Sequence, residues 1–270
     1  MMIRKFLLRL VAIIAGLFVV LWSALFLFQD KLIFQSVSLE RNYVYSFNFN
    51  FQEYFIPVGG QHTDTLNALS FKPKEESKGL IIYFHGNRGN LQRWGQYAPN
   101  LTRHGYEVLM IDYRGYGKST GKPGEQAFYS DARQVYQWAR GRHPEGKLIL
   151  YGRSLGSAVA SHLATEVSCD LLILETPFDE LRGVMDPYFE FGIQFLPLRY
   201  KFSNYENLRD VQSRVLILHG TADKVVPLSS ALRLKSQLQS PEDFVIIPKG
   251  GHRNLGSFPE YQLALEKFLP

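Results

Sequence analysis

The chain has 270 residues, with 30 Lys and Arg against 25 Asp and Glu and a formal net charge of +5. That length fits one α/β domain and leaves no room for a second complete one. Arg4, Lys5 and Arg9 hold much of the excess in a stretch without acids, so the remainder is too near neutrality for a polyanion surface, and nucleic acid is excluded as a partner.

In chain order, the first element is the charge-free run Leu10 to Phe28, rich in Leu, Val, Ile, Phe and Ala. As a helix rising about 1.5 Å per residue it nearly spans a bilayer's hydrocarbon, with Trp22 near one interface. Trp22-Ser23-Ala24-Leu25-Phe26 continues into bulky residues instead of a small-x-small cleavage site, so a retained signal anchor is expected. Arg4, Lys5 and Arg9 precede the run, while Asp30 and Lys31 nearly cancel after it. The positive-inside tendency then puts the N-terminus in the cytoplasm and the body on the outer side, whether periplasmic, extracellular or lumenal. Residues 1–30 read as tip and anchor, 31–50 as an aromatic-rich juxtamembrane segment, and 51–270 as the folded domain.

From Phe51 onward, short β-branched and aromatic runs alternate with helical segments, the pattern of a mostly parallel sheet covered on both faces. Strands are expected at Gln52–Pro57, Leu66–Lys72, Leu80–Phe84, Tyr106–Ile111, Lys147–Tyr151, Leu171–Leu174, Val215–Leu218 and Phe244–Ile247. Helices are expected at Gln92–Arg103, Gly124–Arg142, Ser154–Glu166, Leu228–Gln239 and Pro259–Phe268. Runs such as Leu80-Ile81-Ile82-Tyr83-Phe84 are apolar at successive positions, which suits strands buried on both faces. In such sheets ligands bind beyond the carboxyl ends of the strands.

One of those ends carries Gly152-Arg153-Ser154-Leu155-Gly156, directly after Leu148-Ile149-Leu150-Tyr151 and before Ser157-Ala158-Val159-Ala160. This strand–turn–helix context is the one a G-x-S-x-G nucleophile elbow requires. The turn strains the serine backbone and leaves space only for glycine two residues to either side. A serine hydroxyl needs a general base and a carboxylate to orient that base, expected later in the order Ser, acid, His. Asp223 follows the strand Val215–Leu218 and His252 follows Gly250-Gly251, so Ser154, Asp223 and His252 form the expected triad. Glu175, at the end of Leu171–Leu174, is the alternative acid. His219 reads as a bracing histidine, and His62, His104, His143 and His162 lie away from the strand ends.

Negative charge developing on the substrate oxygen needs preorganised N–H donors. The amide of Leu155 is one; Asn87 in the loop His85-Gly86-Asn87-Arg88-Gly89-Asn90 is the other, with Arg88 as its alternate. The loop has no Lys-[Ser/Thr] pair after it, so it is not a phosphate cradle. The single cysteine, Cys169, cannot form an intramolecular disulfide, and no Cys, His and carboxylate group has metal-ligand spacing. No metal or other cofactor is expected.

Together with Asp112-Tyr113-Arg114-Gly115-Tyr116-Gly117-Lys118-Ser119, His219-Gly220-Thr221-Ala222-Asp223 and Gly251-His252, these motifs make the chain resemble the BEM46-like α/β-hydrolases, a group with bacterial YfhR-type and ABHD13- and ABHD17-like members. The resemblance runs from about Leu80 to the C-terminus. It implies the α/β-hydrolase fold for 51–270, a Ser154–Asp223–His252 triad and oxyanion donors at Asn87 and Leu155. An N-terminal membrane anchor is similar to the bacterial and ABHD13-like members.

Residues 177–212 are inserted between two strands, enough for a lid and not for a cap domain. Their aromatic density places Phe191 and Phe195 as lining for an apolar acyl pocket. The expected activity is a membrane-anchored serine hydrolase acting on carboxylic or thioester bonds of a small acyl ester or lipid through an acyl-enzyme. The alternatives are a serine peptidase of the same fold and a non-catalytic membrane-anchored binding protein.

Overall fold

Eight strands lie in one sheet in the order β1-β2-β4-β3-β5-β6-β7-β8. The computed structural model describes residues 2–61, 63–143, 145–185 and 198–269. Strands β1 (Gln52–Val58) and β2 (Asp64–Phe71) form an antiparallel hairpin at one edge, and β2 also runs antiparallel to β4 (Glu107–Ile111). From β4 onward, β3 (Gly79–Phe84), β5 (Lys147–Arg153), β6 (Leu171–Glu175), β7 (Val215–Gly220) and β8 (Phe244–Ile247) are all parallel. Every expected strand is present, displaced at its ends by two residues at most.

The central strands are apolar at successive positions because both faces are covered. Alternation along β3 sends Ile82 and Phe84 into one core and Ile81 and Tyr83 into the other. The first core includes Phe128 and Val135 of α4 (Glu125–Arg140) and Val159 and Leu163 of α5 (Leu155–Glu166). The second includes Leu265 and Phe268 of the final helix (Pro259–Phe268), together with Tyr45 and Phe71. Phe47, Phe49 and Phe51 pack onto that second core, so the aromatic-rich stretch before β1 covers the sheet.

The helix α1 (Met2–Ile33) is long and apolar enough to cross a membrane, and its apolar window is 0% buried against the rest of the chain. It runs past the expected end of the anchor at residue 30, and Ile33 and Phe34 enter the first core.

Two expected helices break. Gln92–Arg103 divides into α2 (Leu91–Trp94), a 3₁₀ turn at Gly95–Tyr97 and α3 (Pro99–Thr102). Pro99 lacks an N–H to continue an α-helical ladder and is tolerated only where a helix begins. The Leu228–Gln239 segment is α-helical only over Leu228–Leu232 and tightens to 3₁₀ over Arg233–Gln237. Within the insertion, short helices occupy Leu181–Met185 and Asn204–Asn207.

Candidate active site

Strand β5 delivers Ser154 at its carboxyl end, between β3 and β6 in the middle of the sheet. The backbone of Ser154 has φ +52°, a region L-residues avoid, so the expected helix start shifts to Leu155. The strained turn is held on both sides: the Ser154 amide donates to the Glu175 carbonyl at 2.9 Å, and the Ser157 amide donates to the Ser154 carbonyl at 2.9 Å. Glycine is obligatory beside it. A Cβ on Gly156 would run into the Phe84 carbonyl, and one on Gly152 would meet the Gly156 carbonyl and Ser157 Cα.

Two loops bring the partners. Asp223 follows β7 and His252 follows β8, the next strand over. His252 Nδ1 lies 2.8 Å from Asp223 Oδ2, and His252 Nε2 lies 3.2 Å from Ser154 Oγ. A carboxylate only accepts, so Nδ1 carries the proton and Nε2 is left as the acceptor facing the hydroxyl. The other carboxylate oxygen, Oδ1, accepts from the amides of Val225 at 2.8 Å and Val226 at 2.9 Å. Burial pushes the Asp223 carboxyl up, but the His252 bond and charge, with those amides, outweigh it and hold the group below the ordinary aspartate range. Asp223 is therefore ionised at neutral pH.

Glu175 faces elsewhere. Its carboxylate accepts from the Tyr151 hydroxyl at 2.6 Å and lies 3.4 Å from Arg153 Nε, so the alternative acid is engaged away from the imidazole. Arg153 occupies the variable position of the elbow motif, which by itself implies no role. Its side chain is 1% exposed, lies against the Tyr97 ring, and donates to the His252 carbonyl at 2.9 Å. Burial opposes its charge, yet Glu175 and the surrounding tyrosines keep its pKa above the usual arginine range. An arginine immediately before the serine was the available signal; its inward direction could not be read.

His219 is fully buried, with Nδ1 3.1 Å from its neighbour's carbonyl at Gly220 and Nε2 3.8 Å from Asp223 Oδ2. It lies behind the acid and touches neither Ser154 nor the imidazole's reacting side by hydrogen bond.

Leu155 follows the serine directly, and the loop before Asn87 faces it. Gly86 lies close enough for an added Cβ to come within 3.5 Å of Ser154 Cβ, which brings the His85–Asn90 loop against Ser154. Leu155 is the first residue of α5, so its amide has no partner inside the helix. The loop is fixed from beneath by buried His85, whose Nε2 lies 3.1 Å from Asp112 Oδ1 and whose carbonyl accepts from the Tyr113 hydroxyl at 2.8 Å.

The expected pocket residues Phe191 and Phe195 lie outside the described residues. Tyr200 and Phe202, from the same insertion, are buried in the first core against Phe34 and serve packing. An open groove of about 1170 Å³ is lined by Phe49, Phe71, Lys72 and Arg103. It sits where β4 begins, at the opposite end of the parallel strands from Ser154.

Comparison with known proteins agrees with this architecture. A family model described as serine aminopeptidase, S33, matches residues 75–201. The lysophosphatidylserine lipase ABHD12 of Macaca fascicularis is 34% identical over 225 residues, 72% of this chain and 56% of that protein. The chain is an ABHD-like α/β-hydrolase. An uncharacterised Mycobacterium tuberculosis protein is 32% identical over 180 residues, 64% of this hydrolase and 63% of the relative. The match thus spans less than two thirds of the length of these curated relatives. Among solved structures, the Pyrococcus furiosus esterase Pf2001 aligns with a TM-score of 0.66 at 18% identity, covering 87% of this chain and 100% of that one. XC6422 of Xanthomonas campestris, described as an α/β serine hydrolase without lid, aligns at 0.62 and 21% identity, covering 83% and 97%. At those identities the likeness speaks for the α/β-hydrolase fold alone.

Proposed function

We propose that the chain is a membrane-anchored serine hydrolase that cleaves the ester or thioester bond of an apolar acyl substrate. The observation that carries the reading is the continuous relay from Ser154 Oγ through His252 to Asp223, with contacts of 3.2 and 2.8 Å. In it, His252 Nε2 takes the hydroxyl proton as Ser154 Oγ attacks the carbonyl carbon. Asp223 holds the tautomer and stabilises the imidazolium. The amides of Asn87 and Leu155 receive the oxyanion. The tetrahedral intermediate collapses as His252 returns its proton to the leaving group, and water then releases the acid by the same steps.

The apolar α1 supplies the anchor, with the basic N-terminus on the cytoplasmic side and the body on the outer side. Relatives named as lysophosphatidylserine lipases favour a single-chain phospholipid as the first substrate class to try. Arg88 and Arg253 support an anionic headgroup: both are exposed, one in the oxyanion loop and one directly after His252. A peptidase is the second reading, favoured by the serine aminopeptidase description of the matching family.

The test is turnover by the full chain in detergent of acyl esters of graded length, a single-chain phospholipid and aminoacyl anilides. Ester turnover that is lost in Ser154→Ala supports the proposal. Turnover of anilides with esters ignored would transfer it to the peptidase reading.

A further inference from the structure

Both polar atoms of the Asn87 side chain are engaged, and two of its three partners are the last residue of α1 and a residue just after it. Nδ2 donates to the Ile33 carbonyl, while Oδ1 accepts from the Gln35 amide at 3.3 Å and from the Tyr116 hydroxyl at 2.8 Å. The neighbouring backbone is gripped by the same stretch. Gly89 donates to the Gln35 carbonyl at 3.1 Å, Val37 donates to the Gly89 carbonyl at 3.3 Å, and Asn90 Nδ2 donates to the Val37 carbonyl at 3.0 Å. Gly117, in the turn after β4, extends the ladder: it donates to Val37 at 3.0 Å and accepts from Leu39 at 2.7 Å.

The stretch that makes these bonds is itself seated. Phe34 packs edge-on against Phe128 and Tyr200 with ring centroids 5.4 and 5.0 Å away. One turn earlier, Asp30 pairs with Arg199 at 3.0 Å and accepts from the Tyr200 hydroxyl at 2.8 Å. Buried Gln29 accepts from the Arg199 amide at 2.7 Å. Phe28, the last residue of the charge-free run, is adjacent to Gln29, so no linker separates the membrane-spanning stretch from the domain. A tether needs none of these contacts.

We infer that the end of α1 and the stretch directly after it, residues 33–39, brace the oxyanion loop, with the Asn87 side chain and Tyr116 as positioning residues. This rests on the serine-hydrolase reading above. A loop containing Gly86 and Gly89 has little stiffness of its own. Oxyanion donors accelerate a reaction only when they are held in place beforehand, and misplacement by about 1 Å can cost on the order of 100-fold in rate. The brace provides that hold from residues 33–39, which makes the membrane attachment a structural part of the site and keeps the site at the bilayer boundary.

The experiment measures kcat and KM for a water-soluble acyl ester, per folded molecule, in the full-length protein and in Asn87→Ala, Tyr116→Phe, Phe34→Ala and Phe34→Leu. Asn87→Ala is expected to lower kcat about tenfold or more with KM within about twofold, since the backbone donor remains but is no longer held. Tyr116→Phe lowers kcat less, and the Asn87→Ala/Tyr116→Phe pair loses less than the product of the single effects. Phe34→Leu restores most of what Phe34→Ala loses. A fall in thermal midpoint with kcat unchanged would overturn the brace and leave only a packing role. Should Asn87→Ala not fold, Tyr116→Phe and the Phe34 pair decide by the same kcat criterion. A wild-type chain that neither hydrolyses esters nor reacts with a fluorophosphonate overturns the serine-hydrolase reading, and the brace with it; loss confined to the variants cannot be mistaken for that outcome.

Discussion

Arg153 reaches across the elbow and donates from its guanidinium to the carbonyl oxygen of His252, 2.9 Å away. The residue before Ser154 thus ties the loop that carries His252 to the elbow. The same side chain faces Glu175, which is 3% exposed, so each charge is the other's main compensation in a dry setting. Replacing Arg153 with Met strands the Glu175 carboxylate and should destabilise the fold by about 3–5 kcal/mol. Adding Glu175→Gln should return part of that loss. Urea denaturation of the single and double variants reads both, and equal stabilities for the two would show that the pair is not coupled.

Stability should respond to pH in two separate windows. His104, His162 and His219 all have pKa values lowered chiefly by burial. The unfolded chain therefore takes up protons near pH 6.5 that the native state refuses, and stability falls as pH drops below that value. Asp223 has the opposite charge type and a depressed pKa, so its contribution is complete above about pH 3.9 and is lost as pH falls through its lower native value. His104 is half-buried and its Nε2 is buried without a hydrogen-bond partner. His104→Gln should flatten the urea midpoint between about pH 7 and 5 and leave the slope below about pH 4 unchanged. An unaltered upper slope would contradict the assignment.

The elbow should tolerate no methyl group at Gly156. A Cβ there overlaps the Phe84 carbonyl, which sits in the central strand β3 and cannot retreat. Gly156→Ala is expected to cost about 3 kcal/mol or more, or to abolish folding. Gly60, with nothing within 4 Å of an added Cβ, is the control: Gly60→Ala should stay within about 0.5 kcal/mol of wild type in thermal melts.

Much of this molecule was legible before folding because its signals are local. The strands announced themselves by unbroken apolar runs such as Leu171–Leu174, and Ser154, Asp223 and His252 by their places after β5, β7 and β8. The break at Pro99 is also written in the sequence, since proline cannot continue an α-helical ladder. What could not be read depends on distance along the chain. Ile33 and Gln35 meet Asn87 across 54 and 52 residues, and no periodicity marks such a contact. Likewise, Glu175 and Asp223 both follow a strand at the right end of the sheet; only the direction of Arg153 and Tyr151 gives Glu175 other partners.

The central claim is that Ser154 is made nucleophilic by His252. It is tested most directly by treating the full-length protein with a fluorophosphonate and locating the adduct by peptide mass spectrometry. The account predicts one adduct, on the peptide containing Ser154, absent in Ser154→Ala and formed at least about 100-fold more slowly in His252→Gln. An adduct on a different residue, or reaction at Ser154 at an unchanged rate without the imidazole, would contradict it.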